Sequence, residues 1–115
     1  MIAGIGIDLC SISRVEEAIK SDFFREELFS IEEIAYCESK GKNRAESYAS
    51  CFAAREAFIK ASGLSLASVM FSGNFSLSRS EDGAPRIIFP EYENNTFVSI
   101  THEDDYACAV VVIEK

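Results

Sequence analysis

The sequence predicts one α+β domain, with a mainly antiparallel sheet gathered around a long central helix. Three observations lead there. The first nine residues alternate with a period of two, the middle of the chain is helical in composition, and the last third returns to short alternating segments separated by turn signals. One strand, then helices, then four or five strands is an α+β order, unlike the strict strand–helix alternation of a parallel sheet. A length of 115 residues suits a single domain, 1–115, and no repeat, low-complexity tract or linker interrupts it.

Residues 1–9 read as a strand. Met1, Ala3, Ile5, Ile7 and Leu9 fall on one face, and Ile2, Gly4, Gly6 and Asp8 on the other. Two glycines on one face predict a close approach by another element. Ser13-Arg14-Val15-Glu16 has the form of a capping box and predicts a helix over 14–20, with Val15, Ala18 and Ile19 on its apolar side. Phe23-Phe24 and Leu28-Phe29 read as core anchors around a turn or short helix. Ser30-Ile31-Glu32-Glu33 is a second capping box, opening a helix over 31–38.

The central helix starts at Arg44 or Ala45 and stops near Gly63, a residue suited to a helix C-terminus. Residues 69–71 and 75–79 read as extended, Glu81-Asp82-Gly83 as a turn, and 86–89 as the return strand of a hairpin. After a loop over 90–95, residues 97–101 and the valine-rich 106–113 form a second hairpin across Glu103-Asp104-Asp105.

Nearly half the residues are apolar, so a core can form, but a chain this short favours oligomerisation as a way to bury more surface. The formal net charge of −8 argues against broad nucleic-acid binding and against an anionic membrane surface. A local positive patch can still meet an acidic partner. Cys10, Cys37, Cys51 and Cys108 lack C-x-x-C spacing. With no signal-peptide pattern, they read as reduced and mostly buried in a cytoplasmic protein. No run is long enough to span a membrane. Asn94-Asn95-Thr96 matches a glycosylation sequon, which without secretion is a chance match.

Three polar features carry the chemistry. Asp8 ends the first strand, Glu56 and Lys60 share a face of the central helix, and Ser99-Ile100-Thr101-His102 precedes the last turn. Each has a plain reading: a turn-capping aspartate, a solvated i, i+4 ion pair, and a structural histidine. Together they have another. Two carboxylates suit a hard cation such as Mg²⁺, which takes oxygen ligands, water and substrate phosphates, and a nearby lysine neutralises further phosphate charge. Arg14, Lys20 and Arg25 read either as solvated charge or as a docking surface for an acidic partner. On these residues alone, phosphoryl transfer, pyrophosphate hydrolysis and passive nucleotide binding all remain open.

Gly4-Ile5-Gly6-Ile7-Asp8-Leu9, then Phe52-Ala53-Ala54-Arg55-Glu56-Ala57-Phe58-Ile59-Lys60-Ala61, then Val98-Ser99-Ile100-Thr101-His102 resemble the three signature blocks of holo-acyl-carrier-protein synthase. That is the small class of 4′-phosphopantetheinyl transferases. The resemblance spans the whole chain. It implies transfer of the 4′-phosphopantetheine arm of coenzyme A to a serine of an apo acyl carrier protein, releasing adenosine 3′,5′-bisphosphate. It implies Mg²⁺ at Asp8 and Glu56, and phosphate contact by Lys60. Coenzyme A contacts are implied from Arg55, Gly83, Pro85, Ser99, Thr101 and His102. The group that takes the serine proton stays open between a metal-bound water, a carboxylate and His102. The resemblance also implies a homotrimer with active sites between subunits, and a carrier-docking arginine at Arg14, with Lys20 and Arg25 extending the patch.

The sequence departs from the family pattern in three places. Cys51 stands where a basic residue usually precedes Phe-Ala, Gly63-Leu64-Ser65 replaces a Gly-Thr-Gly turn, and Ala84 replaces the cation of a Gly-[Lys/Arg]-Pro turn. Arg55, Arg79 and Arg86 are the candidates to compensate. A non-catalytic relative that binds carrier protein or nucleotide, and a purely structural trimer subunit, are the competing readings.

Overall fold

The structure, a computed structural model, describes residues 1–71 and 74–115. Its elements run β1 (Ile2–Ser11), α1 (Ile12–Ala18), α2 (Asp22–Leu28), α3 (Ile31–Glu38), a 3-10 turn (Gly41–Asn43), α4 (Arg44–Ser62), α5 (Leu66–Met70), β2 (Ser76–Arg79), β3 (Pro85–Ile88), β4 (Asn95–Glu103) and β5 (Tyr106–Glu114). Strands β1, β5 and β4 make an antiparallel sheet in that order, and β2 and β3 make a separate hairpin. The fold is α+β, as the order of periods predicts.

Helix α4 crosses one face of the larger sheet. Gly4, Gly6, Asp8 and Cys10 of β1 share that face with Ala107, Ala109, Val111 and Ile113 of β5. The small residues explain the fit. A Cβ at Gly4 would stand 1.9 Å from the Ala61 carbonyl oxygen, and one at Gly6 would stand 2.0 Å from that of Ala57. Neither distance leaves room for a methyl group, so the predicted close approach is with α4 itself. Ala53, Ala54, Ala57 and Phe58 are fully buried beneath it. Gly63 ends α4 with φ +74°, in the left-handed region that glycine adopts at little cost.

Other elements follow from local chemistry. Ser30 and Glu33 form the predicted capping box of α3, each accepting the other's backbone N–H. The Ser13 box does not form. Ser11 caps α1 instead, so the helix begins at Ile12 rather than at 14, and Ser13 turns to Asp105. The run read as extended over 69–71 belongs to α5, capped by Ser65. Phe29 is buried and Phe24 and Leu28 half-buried, but Phe23 is exposed rather than a core anchor.

Candidate active site

Asp8 and Glu56 come together because β1 lies directly against α4. Together with Lys60 they line a cavity of about 500 Å³, whose far wall is Arg14, Val15 and Ala18 of α1 and whose floor includes Phe24 and Phe52. The plain reading of Glu56 and Lys60 as a mutual ion pair is not what forms. Lys60 Nζ donates to the Ile7 carbonyl at 2.9 Å and to Asp8 Oδ1 at 3.3 Å. The Glu56 carboxyl is held above its ordinary value, first by burial and then by the charge of Asp8, with Lys60 opposing. The cavity is therefore richer in negative charge than Lys60 alone offsets.

That donor set fits a hard divalent cation. Two carboxylates supply oxygen ligands, and the excess negative charge is what such a cation relieves. Among the described residues no cluster of three or more histidine, cysteine or acidic side chains converges anywhere. The remaining ligands would be water or phosphate oxygens, as suits Mg²⁺. Cys10 lines the same cavity with its thiol pushed up to about 11, by burial and then by Asp8 and Glu56, so it stays a neutral wall residue.

The other sequence candidates are placed elsewhere. His102 lies on the α4 side of β4, paired in register with Ala107, and β5 separates it from Asp8 on β1. Its Nδ1 stands 3.3 Å from Glu46 Oε2 at the start of α4. Ser99 and Thr101 pair with Val110 and Cys108, so they lie on the opposite, open face of the sheet. Gly83 and Pro85 sit at the β2–β3 turn, where Gly83 adopts φ +87°. Within one chain, none of these lines the Asp8 cavity.

Arg55 is a correction. It reads from sequence as a coenzyme A contact, yet it is 2 % exposed. Both its terminal nitrogens donate to Glu33, and Nη2 also donates to the Phe75 carbonyl. Phe29 and Phe75 sandwich the guanidinium, with ring centroids at 5.2 and 4.9 Å. It cannot also compensate for a missing phosphate cation. Arg79 is committed too, over the Tyr36 ring and toward the Gly83 carbonyl. Cys51 is buried with its Sγ 3.9 Å from that of Cys37, so position 51 faces α3 rather than solvent.

Of the basic residues read as a docking surface, Arg14 alone lines the cavity. Lys20 pairs with Glu17 on the surface, and Arg25 folds back onto Asp22 and the Ile19 carbonyl. Sequence reasoning missed the apolar walls, Val15, Phe24 and Phe52. It also missed the contact between Asp105 and the start of α1, whose only signal was Ser11 three residues before Arg14.

Comparison with known proteins agrees with this fold. Residues 4–111 match the family described as the 4′-phosphopantetheinyl transferase superfamily. A holo-[acyl-carrier-protein] synthase of Cytophaga hutchinsonii is 35% identical, covering 100% of this chain and 99% of that protein. One of Anoxybacillus flavithermus is 35% identical over 100% of this chain and 98% of its own. The crystal structure of a holo-(acyl-carrier-protein) synthase from Bacillus anthracis, in complex with CoA (3′,5′-ADP), superimposes with a TM-score of 0.87 at 32% identity, covering 98% of this chain and 96% of that one. The chain belongs to the 4′-phosphopantetheinyl transferase superfamily, within its holo-[acyl-carrier-protein] synthase family.

Proposed function

We propose that this chain is a holo-acyl-carrier-protein synthase. It transfers the 4′-phosphopantetheine arm of coenzyme A to a serine of an apo acyl carrier protein and releases adenosine 3′,5′-bisphosphate. The observation that carries this reading is the convergence of Asp8, Glu56 and Lys60 on one cavity that Arg14 borders. In the reaction the serine hydroxyl oxygen attacks the β-phosphorus of coenzyme A, the bond to the α-phosphate oxygen breaks, and the hydroxyl proton is released. Asp8 and Glu56 would hold Mg²⁺, which when bound spreads the charge of the pyrophosphate.

The chain's own residues do the rest. Lys60, 54 % exposed and already within reach of Asp8, swings to phosphate oxygen when the cavity fills. Val15, Phe24 and Phe52 give the cavity apolar walls that exclude water beside the transferred phosphate. Arg14 meets the acidic carrier protein at the rim, so an enzyme of net charge −8 docks an acidic partner through a local positive site. His102 stands across β5 from Asp8, which favours a carboxylate of the cavity over His102 as the proton acceptor within one subunit.

The same separation supports a trimer with shared sites. His102, Gly83 and Pro85 reach a coenzyme A bound at Asp8 only from a neighbouring subunit. The sheet face opposite α4 offers a contact, because Ile5, Ile7, Leu9 and Phe97 lie on it at 54–66 % exposure. A cytoplasmic location follows from the substrates.

Intact-mass spectrometry of apo acyl carrier protein, incubated with this protein, coenzyme A and Mg²⁺, tests the reaction. The expected result is a mass gain of one phosphopantetheine arm that EDTA abolishes. Glu56→Gln should slow transfer by roughly 100-fold or more with the fold intact. No gain across several carrier proteins, with wild-type protein folded, would favour the non-catalytic relative, as the missing cation at Ala84 does.

A further inference from the structure

Asp105 lies in the β4–β5 turn, far along the chain from α1, yet it closes the N-terminus of that helix. Its backbone carbonyl accepts the Ile12 N–H at 2.7 Å, and its Oδ1 accepts the Ser13 N–H at 2.8 Å. Its Oδ2 accepts from the hydroxyls of Ser11 and Ser13, both at 2.9 Å. Ser11 Oγ in turn accepts the Arg14 N–H at 3.3 Å. The first three backbone donors of α1, which have no partner inside the helix, are therefore all satisfied through this one cluster. Asp105 accepts the hydrogen bond of the Ser11 hydroxyl, which leaves that oxygen's lone pairs free for the Arg14 N–H. Asp104, at φ +53°, sets the tight turn that aims Asp105 there.

Beyond this cluster, α1 is held by Val15 and by Ile19 at its C-cap, both buried in the core, with Ile12 packed against that core. It has seven residues, no acidic residue in its first turn, and Val15 as its one buried residue. A helix that short does not form on propensity alone, so its direction is set by contacts from outside. Arg14, Val15 and Ala18 on this helix form the wall of the cavity that faces Asp8 and Glu56.

We propose that Asp105 is a positioning residue for the carrier-protein substrate. It acts through Ser11 to hold α1, and with it Arg14, at a fixed distance from the reacting centre. The inference rests on the transferase reading above. Asp8 and Glu56 sit on β1 and α4; the Asp105 cluster meets β1 only at its last residue, Ser11, while β1 is paired with β5 from Ile2 to Ser11, so coenzyme A binding and the chemical step should change little.

The test is steady-state transfer with apo acyl carrier protein, coenzyme A and Mg²⁺, each substrate varied in turn, for wild type, Asp105→Ala, Asp105→Asn and Ser11→Ala. Asp105→Ala should raise the KM for carrier protein by about tenfold, the scale of losing hydrogen bonds to a charged group. Its kcat and its KM for coenzyme A should stay within about twofold of wild type. Asp105→Asn, which keeps an acceptor for Ser13, should fall between, and Ser11→Ala, at a residue that also lines the cavity, should raise the KM for carrier protein as well. Hydrogen exchange should quicken at residues 12–15 and not in α4. Unchanged exchange at 12–15, or an unchanged KM for carrier protein in an active enzyme, overturns the positioning role. So does exchange that rises equally across α4, with both KM values moving together. A folded wild-type protein that transfers nothing overturns the transferase reading itself, and this role with it.

Discussion

Both terminal nitrogens of Arg55 point at Glu33, while Glu56, one residue on, points the other way into the cavity. Adjacent helical residues are turned about 100° apart, so one enters the core as its neighbour enters a site. Alanine on every side of α4 hid which face was which, and the sequence reading placed both charges at the nucleotide. Glu38 is a simpler case. Tyr48 donates to it at 2.7 Å and Arg44 donates to both its oxygens, which holds its carboxyl below the ordinary value of 4.5. The Tyr48 hydrogen bond is the larger cause. A depressed carboxylate contributes stability above its unfolded pKa and loses it as pH falls through the folded value. Glu38→Gln should therefore lower Tm by about 4 °C at pH 7, and the gap to wild type should narrow as pH falls below the ordinary value of 4.5 in a series of thermal melts. A gap that stays constant through that range would show the carboxylate charge to be irrelevant.

At the scale of elements, the contact of β1 with α4 does the most. Both glycines of β1 face backbone carbonyl oxygens, which cannot retreat as a flexible side chain can. Gly6→Ala should destabilise by about 3 kcal/mol, at the upper end for overpacking, and lower Tm by roughly 12 °C in calorimetry. Because Asp8 follows on the same strand, the binding of coenzyme A should weaken in parallel. The alternation of β1 was legible, as were the Ser30 box and the Gly63 stop, since each depends only on residues within a turn of one another. The start of α1 was not. Its cap depends on Asp105, 94 positions from Ser11, and no local pattern reports such a partner. Helix α5 failed for another reason: at five residues it is too short to show a period, and Val69 weighs toward a strand.

For the whole molecule, the sheet has one face under α4 and one face bare. Ile5, Ile7 and Leu9 stand in register with Val112, Val110 and Cys108, and Phe97 completes the first row across β4. A contiguous apolar surface of this kind marks an interface. If the proposed trimer uses this face, Ile7→Glu should dissociate it, reducing the mass measured by light scattering from three chains to one, and should abolish transfer while leaving the far-ultraviolet circular dichroism unchanged. A single-chain mass for the wild-type protein would sink the trimer. With an acidic net charge, long-range attraction to an acidic carrier is absent, so the docking proposed for Arg14 would act at short range.

Readable from the chain alone were the α+β order, the strand with its glycine face and the extent of α4. These are properties of period and local chemistry, which the chain carries wherever it goes. Only packing put Arg55 in the core, His102 and Asp8 on opposite edges of the sheet, and Asp105 at the start of α1. Each depends on which distant residues meet across β5 or beneath α4, and packing, not spacing along the chain, chooses those partners.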